Sequence, residues 1–264
     1  MGKVLLTERR EGIVILTFNR PADYNALSFE LVSALTRHLI DADRDNEAGA
    51  IIITGAGKAF CSGGDLDEII TLSEGDAGAR RAYLTHFKEM IAAIRGVSLP
   101  VIAAVNGYCI GGGNEINLAC DLSIASDQAK FGQAGTRVGS VPLMGGTQLL
   151  PLVVGEKKSK EMIYLCGSYN AGEARRMGLV NKVVPHDSLM DEALAWATEI
   201  LEKSPTAISI AKRAHNVWVD WLERSMEEGV DILTRFWATE EAREGFRAFK
   251  EKRKPQFKKY IDKK

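Results

Sequence analysis

Residues Leu99–Asp121 read LPVIAAVNGYCIGGGNEINLACD, and this stretch decides the fold. After a proline comes an apolar, β-branched run that includes Val101, Ile102 and Val105, which is typical of a buried strand. Three consecutive glycines at positions 111 to 113 then precede an apolar segment with helical spacing. The pattern predicts a buried strand that passes into a helix through a glycine turn.

This predicted turn presents the N-terminus of a helix. The first backbone N–H groups of a helix have no intrahelical partner, and the aligned peptide dipoles make that end positive. Glycines lack a Cβ atom, so a ligand can approach the main chain closely, and Glu115 follows within the first helical turn. The stretch therefore places donors for a developing negative charge beside a candidate proton-transfer group. Such turns also occur where a helix only packs closely on a sheet, so both interpretations stay open here.

A second glycine turn favours the catalytic interpretation. Ala50–Thr54, AIIIT, is short and continuously apolar, which predicts a strand buried on both faces. The sequence SGGD at positions 62–65 follows it and leads into another helix. If the two turns lie on neighbouring strands, two amide hydrogens could point at one oxygen, the geometry that stabilises an enolate.

The rest of the chain alternates strand and helix patterns, which predicts an α/β fold. Further strands are predicted at Val4–Thr7 and Ile13–Phe18, joined as a hairpin, and at Leu122–Ala125. From Asp187 onward the patterns are almost wholly helical. The main predicted helices are Ser28–Asp41, Asp65–Arg95 with a break in the 70s, Ser188–Lys203, Pro205–Arg224 and Thr239–Lys250.

The composition narrows the class of protein. The chain has 264 residues, of which 45% are apolar, enough for a sizeable core. Its 34 Lys and Arg residues nearly balance 35 Asp and Glu residues, so we expect no nucleic-acid partner. No apolar run suits a membrane span or a secretory signal, so we expect a cytoplasmic protein with no membrane partner. The cysteines at positions 61, 109, 120 and 166 show no Cys-x-x-Cys spacing, which predicts no metal site.

Several ordered motifs resemble the enoyl-CoA hydratase/isomerase, or crotonase, superfamily over essentially the whole chain. Besides the stretch at 99–121 they are NRPADYNAL (19–27), AIIITGAGKAFCSGGDL (50–66), AKFGQAGTRVGSVPLMGGTQLLPLVVG (129–155), AGEARRMGLVNKVVP (171–185) and EGFRAFKEKRKPQF (244–257). The resemblance implies a crotonase-like α/β spiral of ββα turns over residues 1–195, which holds the active site. It also implies a helical region over residues 196–264 that forms a homotrimer, often paired into a hexamer.

The resemblance further implies an acyl-CoA thioester as the substrate, with no cofactor beyond that coenzyme A. By matching motifs, the amides of Gly64 and Gly112 would hold the thioester oxygen, and Glu115 would be the catalytic acid–base. The substrate-binding positions implied in the same way are Ala26, Ala59, Asp65, Leu66, Gly135, Leu143, Phe249 and Lys252. Phe249 and Lys252 match positions that, in hydratases, reach the CoA nucleotide of an adjacent subunit. From their loop context, Leu72, Tyr83, Leu143 and Met144 are predicted to line the far end of the acyl pocket.

One departure from the family pattern is informative. Hydratases of the family carry a second glutamate in a motif like FGQPE, where this chain has Gly135. Dihydroxynaphthoyl-CoA synthases and alicyclic ketoacyl-CoA hydrolases have a similar glycine, but they usually have an aspartate at the position of Pro142 and lack a glutamate at that of Glu115. We therefore expect a hydratase of an enoyl-CoA or alicyclic dienoyl-CoA, with a small alcohol, an ion or a water near Gly135.

Three other functions stay open at this stage. An enoyl-CoA isomerase needs only one carboxylate to move a proton between two carbons. A ring-acting hydrolase or synthase comes third, because Pro142 cannot replace the aspartate. A fold recruited only for binding, for instance to RNA, is disfavoured by the charge balance and by the retained glycine pair and Glu115.

Overall fold

The computed structural model describes residues 3–263, without the side chains of residues 218–221, 223, 262 and 263. Its strands are β1 (Leu5–Arg10), β2 (Ile13–Phe18), β3 (Ala50–Gly55), β4 (Ala59–Cys61), β5 (Val101–Val105), β6 (Tyr108–Ile110), β7 (Leu122–Ser126), β8 (Lys130–Gly132), β9 (Tyr169–Asn170) and β10 (Lys182–Val184). Its α-helices are α1 (Phe29–Asp43), α2 (Leu66–Glu74), α3 (Ala77–Gly96), α4 (Gly112–Ala119), α5 (Gly146–Val154), α6 (Glu156–Leu165), α7 (Ala171–Arg176), α8 (Leu189–Leu201), α9 (Pro205–Phe236) and α10 (Glu240–Lys250).

A six-stranded sheet with the order β1-β2-β3-β5-β7-β10 forms the centre of the molecule. The predicted hairpin of β1 and β2 is antiparallel, and every other pair in this sheet is parallel. In β3, Ile51 and Ile53 pack into the main core, whereas Ile52 packs into a second core that includes Leu189 and Ala193 of α8. Helices therefore cover both faces of the sheet, which explains the continuously apolar sequence of its middle strands.

A second sheet, with the order β4-β6-β8-β9, was not predicted. Its strands have two or three residues, too few to show a periodic pattern. Each of β3, β5 and β7 is followed by a short strand of this sheet and then by a helix, so the chain repeats ββα units. The predicted α/β class and the succession of ββα units are confirmed. The glycine turns, however, follow β4 and β6 and not the long strands β3 and β5.

The helices agree with the sequence patterns except at one end. Ser28 caps α1, with its Oγ accepting a hydrogen bond from the Leu31 amide, and Asp76 caps α3 after the expected break. Helix α9 continues twelve residues beyond its predicted end at Arg224, to Phe236. Met226, Val230 and Leu233 recur at helical spacing there and are buried in the main core. Within residues 3–263, no helix has both the length and the apolar character required to cross a membrane.

Candidate active site

The C-terminal ends of three short parallel strands lie side by side in the second sheet. β4 leads into the turn at 62–65, β6 into the glycine turn at 111–112, and β8 into residues 133–135. The amide of Gly111 donates to the carbonyl oxygen of Gly132 at 3.0 Å. A Cβ atom built on Gly63 would lie 3.3 Å from the amide nitrogen of Gly112. The structure thus brings the two predicted glycine turns together, at the edge of a parallel sheet where ligands commonly bind.

The amides of Gly64 and Gly112 are both available as donors. Gly112 is the first residue of α4, and Gly64 directly precedes Asp65, the N-cap of α2. Within the described part of the chain, neither amide donates a hydrogen bond. Leu27 keeps the Gly64 turn in place through two hydrogen bonds. The Leu27 amide donates to the Gly63 carbonyl oxygen, and the Leu27 carbonyl oxygen accepts from the Asp65 amide. Both amides therefore have the free N–H group that an oxyanion requires.

Close packing explains why these positions are glycine. A Cβ atom on Gly64 would lie 2.6 Å from Cδ1 of Ile69, and one on Gly112 would lie 2.9 Å from both Leu27 and Phe87. A Cβ atom on Gly113 would lie only 2.1 Å from the main-chain oxygen of Cys61. The close-packing interpretation and the catalytic one are thus compatible, because α4 lies directly against β4.

Glu115 lies in the first turn of α4, as predicted, and its side chain is buried. Its Oε1 atom accepts a hydrogen bond of 3.0 Å from the Gly146 amide. Burial raises the pKa of Glu115 from 4.5 to about 7, because the lost hydration outweighs the stabilisation of the carboxylate by the Gly146 and Met144 amides. Both protonation states of this carboxyl group are therefore accessible near neutral pH.

The loop between Pro142 and Gly146 positions the amide that binds the Glu115 carboxylate. Gly145 has a φ of +130°, and a Cβ atom on Gly146 would lie 2.5 Å from Cβ of Pro142. The Gln148 side chain accepts from the Gly145 amide at 3.1 Å and donates to the Leu143 carbonyl oxygen at 3.1 Å. These contacts fix the loop so that its Gly146 amide points at Glu115.

A cavity of about 440 Å³ opens in front of these groups. Most of its wall is apolar. The predicted residues that line it are Gly64, Leu66, Tyr83, Gly112, Glu115, Gly135, Leu143, Met144 and Phe249. Glu115 is the single carboxylate among its described lining residues. A Cβ atom on Gly135 would lie 3.2 Å from Cδ of Pro142, so this part of the wall is the edge of a tightly packed turn.

Five predicted residues are not part of the described cavity wall: Ala26, Ala59, Asp65, Leu72 and Lys252. Asp65 caps α2 and forms an ion pair of 2.9 Å with Arg20.

Ala26, Ala59 and Lys252 also lie outside the cavity wall. The carbonyl oxygen of Ala26 accepts from Arg20, and that of Ala59 accepts from the Asn25 side chain. Lys252 is exposed just after α10. The assignment of Ala26, Ala59, Asp65 and Lys252 to substrate binding stays a prediction.

Several lining residues have no predicted role, and they include Tyr24, Tyr108, Gln133, Arg137 and Trp237. Trp237 is positioned by a hydrogen bond of 3.0 Å from its Nε1 to Oγ of Ser140. Its position depends on how the end of α9 packs, which no local pattern reveals. Gln133, in contrast, lies within the FGQAG sequence at 131–135 and could have been suspected from its place between the strand and Gly135.

Known proteins resemble this chain over nearly its whole length. A family model described as enoyl-CoA hydratase/isomerase matches residues 8–260. A protein named probable enoyl-CoA hydratase from Mycobacterium bovis is 42% identical over 259 residues, which cover 97% of this chain and 98% of that protein. The crystal structure of an enoyl-CoA hydratase/isomerase from Pseudoalteromonas atlantica is 32% identical with a TM-score of 0.87, and covers 97% of this chain and 100% of that one. The crystal structure of an enoyl-CoA hydratase/isomerase from Mycobacterium paratuberculosis is 29% identical with a TM-score of 0.88. The match covers 94% of this chain and 98% of the Mycobacterium paratuberculosis chain.

Proposed function

Because the chain belongs to the enoyl-CoA hydratase/isomerase family, as its motifs indicated, we propose that this enzyme adds water to an α,β-unsaturated acyl-CoA thioester. One observation carries the proposal above all. The buried carboxyl group of Glu115, with a pKa of about 7, lies one helical turn from the Gly112 amide, which has no acceptor among the described residues, and both line one cavity. A proton-transfer group and an oxyanion donor are thus available to the same substrate.

In the proposed mechanism, the amides of Gly64 and Gly112 bind the thioester oxygen. Ionised Glu115 takes a proton from a water molecule while the water oxygen bonds to the β-carbon. The electron pair of the double bond moves towards the thioester and forms an enolate, which the two amides stabilise. Glu115 then returns the proton to the α-carbon, so one water is added and the carboxylate is regenerated. Each amide contributes about 3 kcal/mol to the stabilisation of the transition state.

The cavity wall also bears on the acyl group. Gly135 contributes no side chain, and the cavity wall as a whole is mostly apolar. We propose that the cavity accepts a bulky acyl group, such as a cyclic dienoyl ring, because an apolar wall suits a hydrocarbon and no glutamate side chain extends from position 135. The dienoyl preference and the features shared with the ring-acting branch are parts of this proposal.

The second candidate is an enoyl-CoA isomerase. Glu115 is the single carboxylate among the described lining residues, and one carboxylate suffices to take a proton from the γ-carbon and return it to the α-carbon. A ring-acting hydrolase or synthase is less well supported, because Pro142 occupies the part of the wall where that branch usually has an aspartate.

Incubation with crotonyl-CoA and with a cyclic dienoyl-CoA in water enriched in ¹⁸O tests the proposal by mass spectrometry. Hydration predicts a product that carries one ¹⁸O atom, and isomerisation predicts a shifted double bond without label. Glu115→Gln should lose both reactions. Glu89→Gln, the same change at an exposed position of α3, should keep wild-type turnover. Turnover of neither thioester by wild-type enzyme, or label incorporation that persists in Glu115→Gln, would contradict the proposal.

We also propose that the chain forms a homotrimer or homohexamer through residues 196–264, in the cytoplasm, with acyl-CoA as its small-molecule partner and no further cofactor. The C-terminal region packs on its own chain through α9 against α3, and Phe249 lines the cavity while half of its surface stays exposed. Light scattering of the purified protein tests the assembly: a monomer mass at micromolar concentration would contradict it.

A further inference from the structure

The side chain of Gln133 is a buried polar group without a partner among the described residues. It is 1% exposed, and both its Oε1 and its Nε2 atoms lack a hydrogen bond. A buried amide that pairs with nothing costs folding free energy, so nearly all buried amides in proteins have a partner. This amide therefore indicates a ligand or a water that is bound when the enzyme works.

Gln133 differs from the other described residues with a buried side-chain atom that lacks a hydrogen bond, which are Ser33, Arg95, Asn114 and Asn117. Asn114 and Asn117 each have one unpaired atom, but their amides also bond to each other at 3.4 Å. In Gln133 both atoms of the amide are unpaired, and among these five residues it alone lines the cavity.

The position of Gln133 relates it to the reacting groups. It follows Gly132, which pairs with Ile110 in the sheet and accepts a hydrogen bond from the Gly111 amide at 3.0 Å. Gln133 is therefore the first residue after β8, beside the turn that presents the Gly112 amide. Glu115 and Gly135 line the same cavity.

We propose that the amide of Gln133 binds the water molecule whose oxygen is added to the acyl chain. This inference rests on the proposed hydratase function. Water has two hydrogens, and Glu115 takes only one of them, so the other needs an acceptor while the oxygen bonds to the β-carbon. The Oε1 atom of Gln133 accepts that hydrogen bond and neither gains nor loses a proton. The hydrogen remains on the oxygen and becomes the hydroxyl hydrogen of the product.

The test separates water binding from proton transfer at carbon. Hydration of crotonyl-CoA needs the water, whereas exchange of the α-hydrogens of butyryl-CoA with D₂O needs only Glu115 and the oxyanion amides. We expect Gln133→Met to lower kcat/KM for hydration about tenfold or more, the effect of losing one hydrogen bond in a site without bulk water. Exchange should stay within about twofold of wild type, and Tm should be unchanged or higher because the variant no longer buries an unpaired amide.

Two further variants keep the test decisive. Gln133→Asn withdraws the amide by one carbon with little change in chemistry, and it should also lose hydration and keep exchange. Gln128→Met makes the matched substitution at an exposed position and should leave both reactions unchanged.

The outcomes distinguish this inference from the function on which it rests. Wild-type hydration together with unaltered hydration in Gln133→Met and Gln133→Asn would overturn the role of Gln133 alone. An equal loss of hydration and exchange would also overturn it, because the amide would then act on Glu115 or on the fold. Wild-type enzyme that exchanges α-hydrogens but adds no water would overturn the hydratase function itself, and with it this inference.

Discussion

The Oε1 atom of Glu115 accepts a 3.0 Å hydrogen bond from the amide of Gly146, which lies 31 residues further along the chain. This bond orients the carboxylate and favours its ionised form, whereas burial favours the protonated form. Burial has the larger effect, so the pKa of Glu115 rises to about 7. The acid–base character of the site thus depends on the packing of a helix against a distant loop.

Hydration should depend on pH through Glu115. Its ionised form is the base that takes the proton from water, so kcat/KM should fall about tenfold per pH unit below a pKa of about 7. Initial rates with crotonyl-CoA between pH 5 and 9 give this profile. A rate that stays constant down to pH 5 would mean that another group takes the proton.

The free energy of unfolding should also depend on pH through Glu115. Activity needs the ionised carboxylate, whereas the protonated carboxyl group favours the folded state. The pKa of Glu115 is raised in the folded protein, so its stabilising contribution is complete below the unfolded value of 4.5 and is lost as the pH rises through about 7. Glu115→Gln does not titrate at this position. Between pH 5 and pH 8, its free energy of unfolding should therefore rise relative to wild type by about 2 to 3 kcal/mol. Urea unfolding of both proteins at the two pH values measures this difference, and an equal difference at both would contradict the raised pKa.

Gly64→Ala tests the first oxyanion amide. The new Cβ atom would meet Cδ1 of Ile69 at 2.6 Å. Ile69 is itself buried, so we expect part of the strain to shift the turn and misalign the amide. We expect kcat to fall about a hundredfold, with KM much less affected. Ile69→Val removes the clashing methyl group, and the double variant should recover a large part of kcat in steady-state assays. No recovery, in a folded double variant, would show that the clash with Ile69 is not the cause.

Gly113→Ala tests the contact between α4 and β4. Its Cβ atom would lie 2.1 Å from the main-chain oxygen of Cys61, and a backbone atom cannot rotate away. We expect a loss of more than about 4 kcal/mol of unfolding free energy, or no folded protein. Gly96→Ala is the matched control, since a Cβ atom there would have no heavy atom within 4 Å. Thermal unfolding compares them, and equal Tm values would contradict the packing argument.

Lys212→Met tests how α9 is attached to the core. The buried Lys212 ammonium forms an ion pair of 2.7 Å with Asp121 and donates to the carbonyl oxygens of Ile94 and Leu99. Methionine keeps the apolar stem but removes the donor to the two carbonyl oxygens and the counter-ion of Asp121, whose carboxylate still accepts from the Val101 amide. We therefore expect a loss of about 3 kcal/mol of unfolding free energy. Lys203→Met, at an exposed position, should change the free energy of unfolding by less than about 0.5 kcal/mol. Urea unfolding measures the free energy of unfolding of both variants. Equal losses in Lys212→Met and Lys203→Met would contradict the stabilising role of Lys212.

Local patterns were sufficient for much of the fold. The apolar run of Ala50–Thr54 requires burial on both faces, and the structure buries it in two cores. Ser28 caps α1 because its hydroxyl accepts from a free amide of the first turn. These features depend on neighbours in sequence, which a pattern can represent.

Other features lay beyond any local pattern. The strands Ala59–Cys61 and Tyr108–Ile110 are too short to show an alternation, and they exist because each pairs with the next in a sheet. The end of α9 follows from the burial of Met226 and Leu233 in the core, against the low helix propensity of Gly229.

The sequence by itself determined that two glycine turns precede helices and that Glu115 lies in the first turn of one of them. Backbone sterics and helix periodicity act over a few residues, so these properties can be read locally. Only the tertiary structure decided that the Gly64 and Gly112 turns are neighbours and that Gly146 meets Glu115. It also decided that the Gln133 amide is buried with no partner in the described part of the chain. Strand order and burial depend on which distant segments pack together, and this choice is made by the whole chain at once.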